Sequence, residues 1–148
     1  MSKKWCLLLI ALVPTLSFSE YYPIPSESNQ VQRFTSRLFD PQNMVAFSGR
    51  VAEVVQVPHP GGVMYGIHIS VEDNDKLIQV HLGPAWFLEM IGLDLQQGEE
   101  VRIKGSLVNF NEDVQFVIAS EIAVDDTIYT LRNNEGVPEW GGYRPKIR

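Results

Sequence analysis

Residues 63–82 read VMYGIHISVEDNDKLIQVHL, and the period of this stretch decides the architecture. Val63, Tyr65, Ile67, Ile69 and Val71 alternate with Gly66, His68, Ser70 and Glu72. That is the period of two that sends successive side chains to opposite faces of a strand. Asp73-Asn74-Asp75-Lys76 is turn chemistry. From Leu77 the alternation resumes, with Ile78, Val80 and Leu82 on the apolar face and Gln79 and His81 on the other. A turn over Asp73 to Lys76 places Glu72 opposite Leu77, Ser70 opposite Gln79 and His68 opposite His81. The same register pairs Val71 with Ile78, Ile69 with Val80 and Ile67 with Leu82, so the apolar pattern supports it independently.

The pattern extends in both directions. Upstream, Phe47, Val51, Val55 and Val57 alternate with Ser48, Arg50 and Gln56, and His59-Pro60-Gly61-Gly62 turns the chain. Downstream, Gly83-Pro84 ends the alternation, and Ala85 to Leu93 reads as a helix with Trp86, Phe87, Met90 and Ile91 as its stripe. A fourth strand carries Val101, Ile103 and Leu107 against Arg102 and Lys104. Asn111-Glu112-Asp113 leads into a fifth, in which Val114, Phe116, Ile118, Ile122 and Val124 form one face against Gln115 and Glu121. The fold class is all-β with a minor helix. Its order, strand-strand-strand-helix-strand-strand, is that of the five-stranded Greek-key barrel called the OB-fold, expected over residues 46–131.

The flanks read differently. Residues 1–19 have the form of a secretory signal peptide: Lys3 and Lys4, the apolar run Trp5 to Val13, Pro14, then the small residues of Ser17-Phe18-Ser19. The expected location is periplasmic or secreted. The sole cysteine, Cys6, would leave with that peptide. Residues 20–45 form an extended lead-in and a short amphipathic helix. Its face is Val31, Phe34 and Leu38, with Ser28 or Asn29 as N-cap and Asp40-Pro41 as stop, and it is expected to plug an end of the barrel. Residues 132–148 form a tail whose Trp140 and Tyr143 argue for packing back on the domain.

Composition narrows the function classes. In 148 residues, 45% are hydrophobic and 20% charged, enough for one core and too apolar for a disordered chain. Lys plus Arg number 12 against 18 Asp plus Glu, a net charge of −6. That sign disfavours nucleic acid held by phosphate neutralisation. The outer face of the second and third strands also lacks interleaved Lys or Arg, so single-stranded nucleic-acid binding is kept only as an alternative.

The segments VPHPGGVMYGIHISVE, VHLGPAWFLE and GVPEWGGYR resemble a group of small exported bacterial proteins with a single OB-like domain. The resemblance runs from Val57 to Arg144, and its most specific parts are His81-Leu82-Gly83-Pro84-Ala85-Trp86 and Pro138-Glu139-Trp140. A broader likeness to periplasmic bacterial OB-fold proteins rests on topology. The resemblance implies the fold and supplies no functional residues.

Chemistry concentrates at the histidines. Cross-strand neighbours have Cβ atoms roughly 5 Å apart, so His68 and His81 lie within reach of one copper or zinc ion. His59, Glu72 or Met64 would supply a third ligand. The simpler alternative is a solvated pair hydrogen-bonded to Ser70, Gln79 or water. Either way, the expected ligand-binding residues are His59, His68, Ser70, Gln79 and His81. Asp73-Asn74-Asp75 lacks the glycine and terminal glutamate of a calcium loop. Tyr65, Trp86 and Phe87 read as core. Catalysis has little support: Ser48, Ser70, Ser106 and Ser120 lack nucleophile-elbow glycines, Glu99-Glu100 and Asp125-Asp126 sit beside turns, and Gly61-Gly62 opens no helix. The expectation is an exported non-enzymatic binding module for a small ligand or a protein partner, with no obligatory cofactor.

Overall fold

Asn74 and Asp75 both adopt left-handed backbone angles, φ 47 and 65, so two residues suffice to reverse the chain. This tight turn joins β2 (Tyr65–Asp73) to β3 (Lys76–Pro84). The computed structural model describes residues 37–58, 65–110 and 114–141. Its other elements are β1 (Met44–Pro58), α1 (Ala85–Met90), β4 (Glu100–Asn109), β5 (Gln115–Val124) and β6 (Thr127–Thr130).

The strands lie in the order β3-β2-β1-β4-β5-β6, antiparallel throughout, and a parallel pairing of β3 with β5 closes the first five into a barrel. This is the OB-fold. β6 is an addition to the expected order, a short strand returning along β5 after Asp125, whose φ of 52 sharpens the turn. β1 serves two partners, pairing with β4 through Met44 to Arg50 and with β2 through Arg50 to Pro58. Where it crosses, Gly49 lies so near β2 that a Cβ would meet the Glu72 carbonyl oxygen and the Val71 side chain. Gly105 of β4 sits equally close to the Ile118 carbonyl of β5.

Three bulges change the side-chain parity read from sequence. In β1 the register shifts between Val51 and Glu53, so Val54 joins the core, whereas the sequence pattern had placed Val55 and Val57 there. In β3, Ile67 pairs with Gly83 and not with Leu82, although every pair from His68–His81 to Glu72–Leu77 stands as the turn dictates. In β5 the shift falls between Ala119 and Glu121, at Ser120. Val117, Ala119 and Ile122 therefore face inward, while Phe116 and Ile118 face out, reversing their expected side. Strict alternation cannot survive an inserted residue.

The barrel core contains Val51, Ile67, Ile69, Val71, Val80, Leu82, Val101, Ile103, Val117 and Ile122. Phe87 and Leu88 of α1 pack onto it with Leu131 and Trp140. The helix is shorter than expected: Gly92 takes φ 75, and the Leu93 amide donates to the Leu88 carbonyl, a glycine-centred stop that ends α1 at Met90. A second apolar cluster sits outside the barrel, where Phe39 packs with Val108, Phe116 and Ile118, flanked by Leu38 and Met44. Asp40 and Asn43 fasten this segment. The Asp40 amide donates to Ser106 Oγ, which donates to the Asp40 carbonyl, and Asn43 Nδ2 donates to the Leu107 carbonyl. The described end of the lead-in thus covers the outer face of β4 and β5 and does not enter the barrel end. Val31 and Phe34, like residues 1–19, lie outside the described residues. No helix among the described residues is long and apolar enough to cross a membrane.

Candidate ligand-binding face

The turn at Asn74-Asp75 brings His68 and His81 opposite one another on the outer face. Their rings stack with centroids 3.9 Å apart and planes within 11°. His81 stacks in turn on Phe116, at 4.3 Å and 10°. Phe116 reaches this row because β5 closes on β3, and the Ser120 bulge leaves it facing outward. Beside the row, Gln79 Nε2 donates to Ser70 Oγ across the same two strands at 2.8 Å.

This face is not the solvated one expected from the hairpin alone. His81 is only 7% exposed and Ser70 3%, because the sheet curls closed and aromatic rings cover the histidine. Burial, followed by the positive charge of Arg132, holds His68 down to about 4. Burial, then His68 and then Arg132, holds His81 well below the usual imidazole range. Both rings are therefore neutral at pH 7, each with one donor and one acceptor nitrogen.

Arg132 was read only as the start of the tail, yet it occupies the seam. Backbone pairing of β3 with β5 ends at His81–Ile118. Where the next pair would be Leu82 with Ala119, Arg132 Nη1 donates to the Leu82 carbonyl at 2.8 Å and also to the Ala119 carbonyl. Its guanidinium lies 4.7 Å from the Trp140 ring centre. Trp140 packs against Phe87 at 5.1 Å and covers Gly83, where a Cβ would lie 2.8 Å from the indole. The VHLGPAW and PEW strings therefore meet in space around this seam.

The remaining expected residues divide. Phe87 is buried beside Trp86, with ring centres 6.0 Å apart, and belongs to the barrel closure. Tyr65 is 46% exposed, against its expected place in the core, because it lies at the outer end of β2 opposite Pro58, beyond the barrel layers. His59 and Met64 lie outside the described residues, and Glu72 is exposed, opposite Leu77. Among the described residues no three His, Cys, Asp or Glu side chains converge as a metal site. The lone pairs of stacked imidazoles lie in two separate, nearly parallel planes, so one ion cannot bind both rings in this stack.

Fold and face together define a five-stranded OB barrel with an aromatic and imidazole row on its outer wall. The chain belongs to the MamS/MamX magnetosome protein family, whose model matches residues 43–129, from the start of β1 into β6. It is also similar to a dextranase of Arthrobacter globiformis, 27% identical over 92 residues, and to one of Arthrobacter sp. strain CB-8, 26% identical over 92 residues. These matches cover 60% of this chain but only 13% of each dextranase. Among solved structures, the second single-stranded DNA-binding protein of Mycobacterium smegmatis aligns at TM-score 0.44 and 15% identity, covering 56% of this chain and 86% of that one. The mitochondrial single-stranded DNA-binding protein Rim1 of S. cerevisiae aligns at 0.42 and 10%, covering 55% and 92%. At such scores the likeness assigns no ligand.

Proposed function

We propose that this chain is an exported, non-enzymatic OB-fold binding module whose ligand face is the outer wall of β2 and β3 at His68, Ser70, Gln79 and His81, backed by Phe116 of β5. The observation that carries this reading is the ring row itself. Three stacked rings, two of them neutral imidazoles, stand on the strand 2–3 wall that OB-folds use for ligands. Neutral imidazoles recognise by hydrogen bonds, and the exposed Gln79 adds a donor and an acceptor beside them. The absence of enzymatic activity is part of the proposal. It is supported by the engagement of the described buried serines: Ser70 accepts from Gln79, Ser106 exchanges bonds with Asp40, and Ser120 donates to the Lys104 carbonyl. Export through residues 1–19 to a periplasmic or secreted location is part of it too, and the family directs the search for the ligand or protein partner to the magnetosome.

Three probes test the face by NMR on isotope-labelled protein: an α-1,6-linked glucose oligomer, prompted by the dextranase relatives, a fifteen-nucleotide oligo-dT, and copper(II) or zinc(II). Saturable shifts confined to His68, His81, Gln79 and their strand neighbours support the reading. A copper or zinc response there would mean that one ring turns out of the stack. No saturable shift in this row with any probe would overturn the proposal.

A further inference from the structure

Arg132 is 6% exposed, and no carboxylate among the described residues pairs with it. Burial lowers its pKa only to about 10, so it remains charged. A buried, uncompensated cation costs several kcal/mol unless its donors are satisfied. Both of its hydrogen bonds leave from Nη1, which leaves the Nη2–Nε edge without a partner among the described residues. The indole it lies over has a second unsatisfied donor, since Trp140 Nε1 is buried with no acceptor. A buried indole N–H without an acceptor, touching a cation without a counter-charge, is what an anion site looks like without its anion. A guanidinium edge is also the natural fork for two oxygens of one group.

Building on the ligand face argued above, we propose that Arg132, beside Trp140 and at the foot of the His81 row, binds one oxyanion group, a carboxylate, sulfate or phosphate, on its Nη2–Nε edge. The carbonyls of Leu82 and Ala119 hold the guanidinium from the other side, so the fork is set before the anion arrives. Such a group could be a free anion or the charged end of a larger ligand lying along His81 and His68.

The test titrates the full chain with sodium acetate, sulfate and phosphate against sodium chloride at equal ionic strength, following the Arg132 Nε–H and Trp140 indole N–H signals. Saturable shifts of both with any of the three oxyanions, absent with chloride, support the site. Arg132→Lys should then weaken binding at least tenfold. If that variant fails to fold, the wild-type titration decides alone. Equal shifts with chloride, or none at Arg132, would overturn the oxyanion site. Binding of the neutral glucose oligomer along His68 and His81, with none of the three oxyanions shifting Arg132, would overturn this inference and leave the ligand face standing.

Discussion

Arg132→Met removes a charge that substitutes for a backbone pair, and its cost follows from what the guanidinium touches. Two buried carbonyls, Leu82 on β3 and Ala119 on β5, lose their donor. An unsatisfied buried group costs about 1–3 kcal/mol. The lost stacking over Trp140 adds about 0.5–2 kcal/mol. Against this, methionine relieves the cost of burying a cation, about several kcal/mol for an ion held without a counter-charge. Methionine also refills much of the stem volume, so no large cavity adds to the loss. Losses of about 2.5–8 kcal/mol against a relief of several leave a destabilisation of up to about 4 kcal/mol, which for a domain of this size lowers the melting midpoint by as much as roughly 10 °C. Urea unfolding measures it, with an unchanged slope and a lower midpoint. The Trp140→Phe single and double variants complete a cycle in which the two residues should couple, because they touch. A variant at least as stable as the wild type would refute the reasoning, for it would show that desolvation of the guanidinium outweighs the seam it completes.

Four further outcomes are expected. His68 and His81 have pKa values below that of an unfolded histidine, so the unfolded chain binds more protons between about pH 6.5 and 4. Stability is therefore full above pH 6.5 and falls as pH drops through that window, by up to about 1.4 kcal/mol per pH unit per ring, and urea midpoints from pH 4 to 8 check it against a His68→Gln, His81→Gln control. Gly105→Ala and Gly49→Ala each drive a methyl into a partner strand's carbonyl and should cost roughly 1–3 kcal/mol or prevent folding. Gly92→Ala meets nothing within 4 Å and carries only the strain of φ 75, so it should cost about 1 kcal/mol, and parallel denaturation curves separate the two effects. Intact mass of protein exported by cells should match a chain beginning at Glu20, and retention of Cys6 would count against export with cleavage.

The parts of the fold legible in the sequence are those fixed by local chemistry. Asp73-Asn74-Asp75-Lys76 sets a turn whose register reaches outward through six cross-strand pairs to His68–His81 before the first bulge intervenes. The helix between β3 and β4 and the approach to the strand order were legible for the same reason, since each depends on a change of period. Bulges were not. Whether Phe116 or Val117 faces the core depends on an extra residue at Ser120, and the segment VQFVIAS is apolar enough on both faces to permit either answer. The same ambiguity hid the row, because Phe116 joins it only once its parity is reversed. Arg132 was illegible for a different reason: its partners are main-chain oxygens distant in sequence, and no side-chain pattern announces a carbonyl left over by a bulge.

That reason also explains why the candidate face and the barrel closure coincide. An inserted residue in β3 and another in β5 stop the parallel pairing after His81–Ile118, which would leave a gap in the wall. A backbone strand cannot fill a gap one pair long, but a guanidinium can, since it donates to both sides from a single planar group. Placing it there puts a fixed positive charge beside the last residue of β3 that pairs with β5, and that residue is His81. The charge and the burial together keep the stacked imidazoles neutral, and the stack keeps their orientation. A ligand meeting this wall therefore meets donors and acceptors whose conformational entropy has already been lost in folding, so little of its binding energy goes to ordering the protein.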